Sequence, residues 1–206
     1  MTPALVRLGR GAVLGLALVL AGCGPNVTSA TLVPPPVPTP TPSTAPVSTP
    51  PSPEAGPAVT IDPALLDVLP ATVDGLEVVE NPDGESAALG DPLLARVGTA
   101  MAAGFAIEPT RGEFVYAVVV RLVPGAMDAL IFRDWRDSFD EGACSQAGGV
   151  VRNAEAEIGG RTVYIGTCAG LVRTYHVWLE ERGLLISASA LGERLMGELL
   201  IRNLRD

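Results

Sequence analysis

The last part of the chain alternates short strand-like segments with turns that contain glycine. Val150 to Ile158 mixes apolar and polar residues, and Gly159-Gly160 follows it as a two-residue hairpin signal. Arg161 to Cys168, Leu171 to Glu180 and Leu184 to Ala190 come next, each separated from its neighbour by a further turn. Strands joined by tight turns pair antiparallel. The pattern therefore predicts a meander of four antiparallel strands, and any fold for this chain must contain that sheet.

Helical patterns and one more strand surround this meander. A favourable N-cap residue, Asp91, precedes a helix that we predict from Pro92 to Ala103. Glu113 to Val123 is apolar on both faces, which predicts a central strand. Apolar residues at steps of four predict an amphipathic helix from about Ala126 to Glu141, and a last helix from about Glu193 to Leu204. The predicted class is α+β, with an antiparallel sheet of about five strands and helices packed on one face.

The N-terminal residues have the three-part form of a secretory signal. Arg7 and Arg10 supply a positively charged start, and an apolar run from Ala12 to Leu20 follows. That run is too short to span a bilayer as a stable helix, which needs roughly 20 apolar residues. The segment therefore predicts export, and the run ends at a cysteine, Cys23.

The end of that run resembles the lipobox of bacterial lipoproteins: an aliphatic residue, a small residue, Gly or Ala, and then Cys. Leu20-Ala21-Gly22-Cys23 matches this pattern at each position. The resemblance implies cleavage after residue 22, lipidation of Cys23 with palmitate-type acyl chains, and attachment to the extracytoplasmic face of the cell membrane. Two or three acyl chains on one residue suffice for stable anchoring. The alternatives are an ordinary signal peptide with an incidental cysteine, or an uncleaved signal anchor.

A proline-rich stretch separates the predicted anchor from the predicted domain. Asn26 to Pro57 consists largely of Pro, Thr, Ser and Val and has no apolar period that could form a core. In extended polyproline II conformation, Pro34 to Pro57 reaches roughly 70 Å. We therefore predict a signal peptide over 1–22, a lipidated cysteine and disordered tether over 23–57, and a single α+β domain over 58–206. The alternatives for the tether are a ligand for a proline-binding module and a glycosylated stalk.

Two cysteines remain once Cys23 is assigned to the anchor. Cys144 and Cys168 form an even pair, and an extracytoplasmic compartment is oxidising, so we predict a disulfide between them. The alternatives are two unpaired buried thiols or half of a metal site. Because the chain has a single histidine, the sequence predicts no metal site and no cofactor.

The charge balance restricts the partners. Removal of the two signal arginines leaves 12 basic residues against 23 acidic ones, and the chain contains no lysine. An acidic surface disfavours nucleic acid and anionic lipid head groups. The absence of lysine excludes Schiff-base chemistry at a lysine and P-loop phosphate binding. The predicted partners are the membrane, through the lipid anchor, and an unknown protein or small ligand.

One strand carries the residues that could form a binding patch. Thr174, His176 and Trp178 alternate along the third meander strand and therefore share a face. They form either a polar and aromatic ligand patch on an open sheet face, or an ordinary solvent-facing surface with cross-strand pairs. Several carboxylates lie on the predicted long helix, and the spacing 134, 137, 141 is typical of a solvated face.

The motifs favour recognition over catalysis. A serine hydrolase would have to use His176, but no Gly-x-Ser-x-Gly elbow and no evident carboxylate partner accompany it. We therefore expect a non-enzymatic binding or accessory module on a membrane anchor. The alternatives are a structural envelope protein that acts through protein contacts, and a hydrolase with an unrecognised site.

Overall fold

One eight-stranded sheet organises residues 58 to 205, which are the residues that the computed structural model describes. The predicted signal peptide, Cys23 and the tether up to residue 57 lie outside the described residues. The four C-terminal strands form the predicted meander, in which each strand pairs antiparallel with the next. The α+β class is therefore confirmed, while the sheet is larger than the predicted five strands.

The sheet runs in the order β1-β5-β6-β10-β9-β8-β7, and β4 also pairs with β5. Only β1 runs parallel to its neighbour in this sheet, and β2 and β3 form a separate ribbon. The strands are β1 Thr60–Ile61, β2 Thr72–Val73, β3 Leu76–Glu77, β4 Val79–Glu80, β5 Gly98–Glu108, β6 Glu113–Leu122, β7 Val150–Ile158, β8 Arg161–Cys168, β9 Val172–Leu179 and β10 Leu184–Leu191.

Four α-helices accompany the sheet in the described part of the chain: α1 Pro82–Ala88, α2 Pro92–Val97, α3 Ala129–Cys144 and α4 Met196–Arg202. Short 3₁₀ helices lie at Pro63–Val68, Ser145–Ala147 and Glu180–Arg182. Helix α3 begins three residues later than predicted because Asp128 is its N-cap. The Asp128 carboxylate accepts the backbone N–H groups of Leu130 and Ile131, both at 2.8 Å.

Helices pack on both faces of the sheet, and not on one face as predicted. Helices α2 and α3 cover the face to which Val118 and Val120 of β6 contribute. Helix α4 and the first 3₁₀ helix cover the opposite face, where Val119 lies. The reason is already visible in β6, which is apolar on both sides. If only one side were buried, the apolar surface of the other side would stay in water, which costs ~25 cal/mol of folding free energy per Å².

The predicted helix from Pro92 to Ala103 is wrong in its second half. Helix α2 ends at Val97, and the residues from Gly98 onward form β5, which pairs with β6 along its length. Gly104, the residue after the predicted end of the helix, lies within this strand. A Cβ atom there would lie 3.1 Å from Val78 and 3.2 Å from Leu69, so the residue lies in a tight contact. Long-range pairing with β6 overrides the helix propensity of the alanine-rich segment.

The predicted disulfide is present. Cys144 and Cys168 are bonded, with their Cα atoms 5.2 Å apart. The bond joins the last residue of α3 to the last residue of β8. It therefore attaches the C-terminal end of the long helix to the meander.

Candidate ligand-binding site

Helix α3 covers the part of the sheet in which the predicted patch lies. Its apolar side carries the residues at steps of four: Trp135 is buried, and Ile131 and Phe139 are half-buried against the same core. Met127, just before the helix, is buried as well. Trp135 therefore belongs to the core. The polar residues that α3 encloses against β9 and β10 form the first part of the candidate site.

A chain of hydrogen bonds runs beneath α3. The His176 side chain is 1% exposed, and its Nε2 atom lies 2.8 Å from Asp140 Oδ1. Its Nδ1 atom lies 2.9 Å from the Ser187 hydroxyl oxygen on the neighbouring strand. The Trp135 indole nitrogen lies 2.8 Å from that same oxygen. Two residues of α3 are thereby connected to the sheet through one histidine and one serine.

The chemistry of the groups assigns the direction of each hydrogen bond. An indole N–H can only donate, so Trp135 donates to the Ser187 oxygen. A carboxylate can only accept, so the Nε2 atom of His176 carries the hydrogen and donates to Asp140. With neutral imidazole, the Ser187 hydroxyl donates to Nδ1. Each polar side-chain group that links the four residues then has a partner, as buried groups require.

This chain has the residue types of a Ser-His-Asp triad but not its accessibility. Ser187 is 1% exposed, and its oxygen already accepts the indole N–H of Trp135. A nucleophilic hydroxyl has to reach a substrate carbonyl. The arrangement therefore serves to hold Asp140 and His176 in place beneath the helix.

The predicted patch shares one strand face, but that face is not open. Thr174 is 0% exposed, His176 lies beneath α3, and Trp178 is half-buried against the Phe132 ring, with 5.9 Å between ring centroids. The Thr174 hydroxyl accepts the backbone N–H of Gly166 at 3.1 Å. The expectation of an open face is wrong because it depended on helices packing on one side only.

Sequence reasoning did not connect Asp140, Ser187 and Trp135 with His176. Asp140 lies 36 residues before His176, and Ser187 lies 11 residues after it. The hairpin register offers one signal, because a tight turn between β9 and β10 places residue 187 opposite residue 176. No local pattern indicates which helix crosses that pair.

A polar cavity opens between α3 and the strands β7 and β8. It has a volume of about 270 Å³. Helix α3 contributes Arg133, Arg136, Asp137 and Asp140 to its wall, and Asn153, Tyr164, Gly166 and His176 are among the residues that line the other side. The cavity therefore reaches the acidic end of the buried hydrogen-bond chain. The predicted solvated positions Asp134, Asp137 and Glu141 are exposed.

Arg136 lines this cavity and an adjoining one, and its guanidinium group has no counter-ion among residues 58–205. Its guanidinium carbon lies 4.1 Å from the centroid of the Tyr164 ring and 5.2 Å from that of Phe132. These are cation–π distances, which restrain the side chain. Its Nε atom is buried and has no hydrogen-bond partner, and no carboxylate among residues 58–205 lies within 4.0 Å of its guanidinium group. This group is available to an anion that enters the cavity.

A second cavity, of about 350 Å³, lies on the opposite side of α3. Tyr116, Trp135 and Phe139 give it aromatic walls, and small residues of α1 and α3 form much of the remainder. The Tyr116 hydroxyl donates to the Gly84 carbonyl at 3.1 Å. Burial, with a smaller contribution from the charge of Glu85, raises the pKa of Tyr116 to about 12.

No family model, curated protein or solved structure matches this chain. Within residues 58–205, no helix has the length and apolar character needed to cross a membrane. The same residues contain no group of three or more His, Cys, Asp or Glu side chains that could hold a metal ion.

The raised pKa of Tyr116 predicts a loss of stability at high pH. An unfolded tyrosine ionises near pH 10, whereas the folded phenol stays protonated until about pH 12. The stabilisation is complete below pH 10 and is lost as pH rises toward 12. We expect the free energy of unfolding to fall over this interval, and to fall less steeply in Tyr116→Phe. Urea unfolding at stepped pH, with tyrosinate absorbance, measures this; equal slopes in both proteins would contradict it.

Proposed function

We propose that the protein is a lipid-anchored, extracytoplasmic binding module without enzymatic activity, whose cavity beside α3 binds a small charged ligand. Cys23 would carry the anchor, and the tether would hold the domain away from the membrane. The observation that carries the proposal is the guanidinium group of Arg136, which Tyr164 restrains and which has no ion-pair partner among residues 58–205. The burial of Ser187 and its hydrogen bond from Trp135 support a role without a nucleophile.

An anion in the cavity would accept hydrogen bonds from the terminal N–H groups of Arg136. The Nε–H group is buried without a partner, at a cost of roughly 1–3 kcal/mol, and no carboxylate among residues 58–205 lies within 4.0 Å of the guanidinium group. A guanidinium group binds a carboxylate or phosphate through two parallel hydrogen bonds. Because Tyr164 already restrains the side chain, little side-chain entropy remains to be lost when a ligand binds.

The test begins with mild detergent extraction of the full-length protein and native mass spectrometry. We expect a bound small molecule in the wild-type protein and a roughly 10- to 100-fold weaker affinity for it in Arg136→Ala, since hydrogen bonds to charged groups contribute about 1.5–3 kcal/mol. Arg96→Ala is the matched control, because Arg96 is exposed on α2 and does not line the cavity.

Two outcomes would contradict the proposal. Equal affinity in wild type and Arg136→Ala would mean that the ligand does not bind to Arg136 in this cavity. A stoichiometric protein partner in place of a small molecule would favour the alternative of a structural envelope protein that acts through protein contacts. The anchor is tested in the same preparation, because Cys23→Ala should leave the protein without acyl chains and outside the membrane fraction.

A further inference from the structure

The charges on the α3 wall of the polar cavity are separated along the helix. Arg133, Arg136, Asp137 and Asp140 follow one another at helical spacing, so all four lie on one side of α3. From the first to the last of them the helix rises roughly 10 Å. The two arginines stand toward the N-terminal end, and the two aspartates toward the C-terminal end. One wall therefore has a cationic half and an anionic half.

Helix stability does not account for this order of charges. A helix dipole favours acids near the N-terminus and bases near the C-terminus, which is the reverse of what α3 presents. The four side chains also do not neutralise one another. Among the described residues, Arg133 pairs with the exposed Asp134, and neither arginine lies within 4.0 Å of Asp137 or Asp140. Both halves of the wall remain available to a ligand.

Asp140 is held as a hydrogen-bond acceptor at the cavity. Its Oδ1 atom accepts from His176, whose other nitrogen is fixed by Ser187, so the carboxylate cannot turn freely. Its Oδ2 atom lies against Gly166, where a Cβ atom would approach it to 2.5 Å and Thr174 Oγ1 to 2.3 Å. Only glycine leaves room for this carboxylate. A group that donates hydrogen bonds to Oδ2 would find it already oriented.

On the basis of the proposed function, we infer that the ligand is a small zwitterion with one carboxylate and one ammonium group. The carboxylate binds the guanidinium group of Arg136 through two hydrogen bonds, and the ammonium group donates to Asp140 and lies near Asp137. A dianion would meet the two aspartates, and a diamine would meet the two arginines, so the wall disfavours both. The volume of about 270 Å³ restricts the ligand to a small molecule.

Calorimetric titration of the full-length protein with a defined panel tests this inference. The panel contains the free α-amino acids and 4-aminobutanoate, with succinate and 1,4-diaminobutane as doubly charged probes of similar length. We expect at least one zwitterion to bind 10-fold or more tightly than either doubly charged probe. Asp137→Asn should lower the affinity for that zwitterion several-fold. The fold should be unaffected, because Asp137 is exposed. Asp140→Asn keeps an oxygen acceptor for His176, and it should lower the affinity for the zwitterion 10-fold or more.

The outcomes separate this inference from the proposed function. If succinate bound as tightly as any zwitterion and lost its binding in Arg136→Ala, the cavity would remain a ligand-binding site, but the inference of a zwitterionic ligand would be overturned. Zwitterion binding that is unchanged in both aspartate variants would also overturn it. A panel in which no zwitterion binds would overturn it as well. Retention of a natural ligand that does not depend on Arg136 would instead overturn the proposed function.

Discussion

Replacing Asp140 with alanine is expected to lower the free energy of unfolding by about 3 kcal/mol. The substitution removes the acceptor of the His176 Nε2–H group, which lies 2.8 Å from the carboxylate and belongs to a side chain that is only 1% exposed. His176 then has an unsatisfied donor, or has to reorient and lose its bond with Ser187. Urea unfolding of the disulfide-intact protein measures the change.

Two variants serve as controls for this effect. Asp137→Ala removes a carboxylate from the same helix and the same cavity, but the side chain is exposed, so we expect a change within about 0.5 kcal/mol. Asp140→Asn should lie between Asp140→Ala and the wild type, since its amide oxygen can still accept from His176. If Asp140→Ala were as stable as Asp137→Ala, the buried chain would contribute nothing to stability.

The double substitution Cys144→Ala/Cys168→Ala is expected to cost about 3.5 kcal/mol. The two cysteines are separated by 24 residues along the chain, and their bond closes a loop that contains β7 and most of β8. Without the bond, the unfolded chain gains the entropy of opening this loop. Alanine is the appropriate replacement because both cysteines are buried, and serine would add an unpaired hydroxyl group.

Reduction provides the matched measurement for the disulfide. We expect dithiothreitol to lower the denaturation midpoint of the wild-type protein to a value near that of the double variant. The double variant itself should not respond to the reductant. A wild-type protein whose midpoint stays constant on full reduction would contradict a stabilising role for the bond. Free-thiol titration of the unfolded samples verifies that the reduction is complete.

Much of the fold could be predicted from local patterns. The glycine turns after Ile158 and before Leu184 separate strands whose pairing partners are their neighbours in sequence, and the meander is confirmed. The spacing of four residues from Met127 to Phe139 predicted α3, which begins and ends three residues later than predicted. These features depend on residues that are close along the chain. For such features the hydrophobic period and the turn residues suffice for a prediction.

The segment from Gly98 to Glu108 shows where local patterns fail. Its alanines favour a helix, and pairing with β6 overrides that preference. Strand β5, together with the short β1 and β4 along it, enlarges the sheet beyond the predicted size. The same non-local packing decides that helices cover both faces, and therefore that His176 is buried.

The sequence by itself determined the α+β class, the meander, the long amphipathic helix and the cysteine pair. It also placed Thr174, His176 and Trp178 on one face of a strand. Only the tertiary structure decided what surrounds His176: Asp140 from α3, Ser187 from β10 with Trp135 bound to it, and the cavity that Arg136 lines. The physical reason is that a hydrogen bond between residues 36 positions apart has no periodic signature along the chain and exists only once helix and sheet have packed.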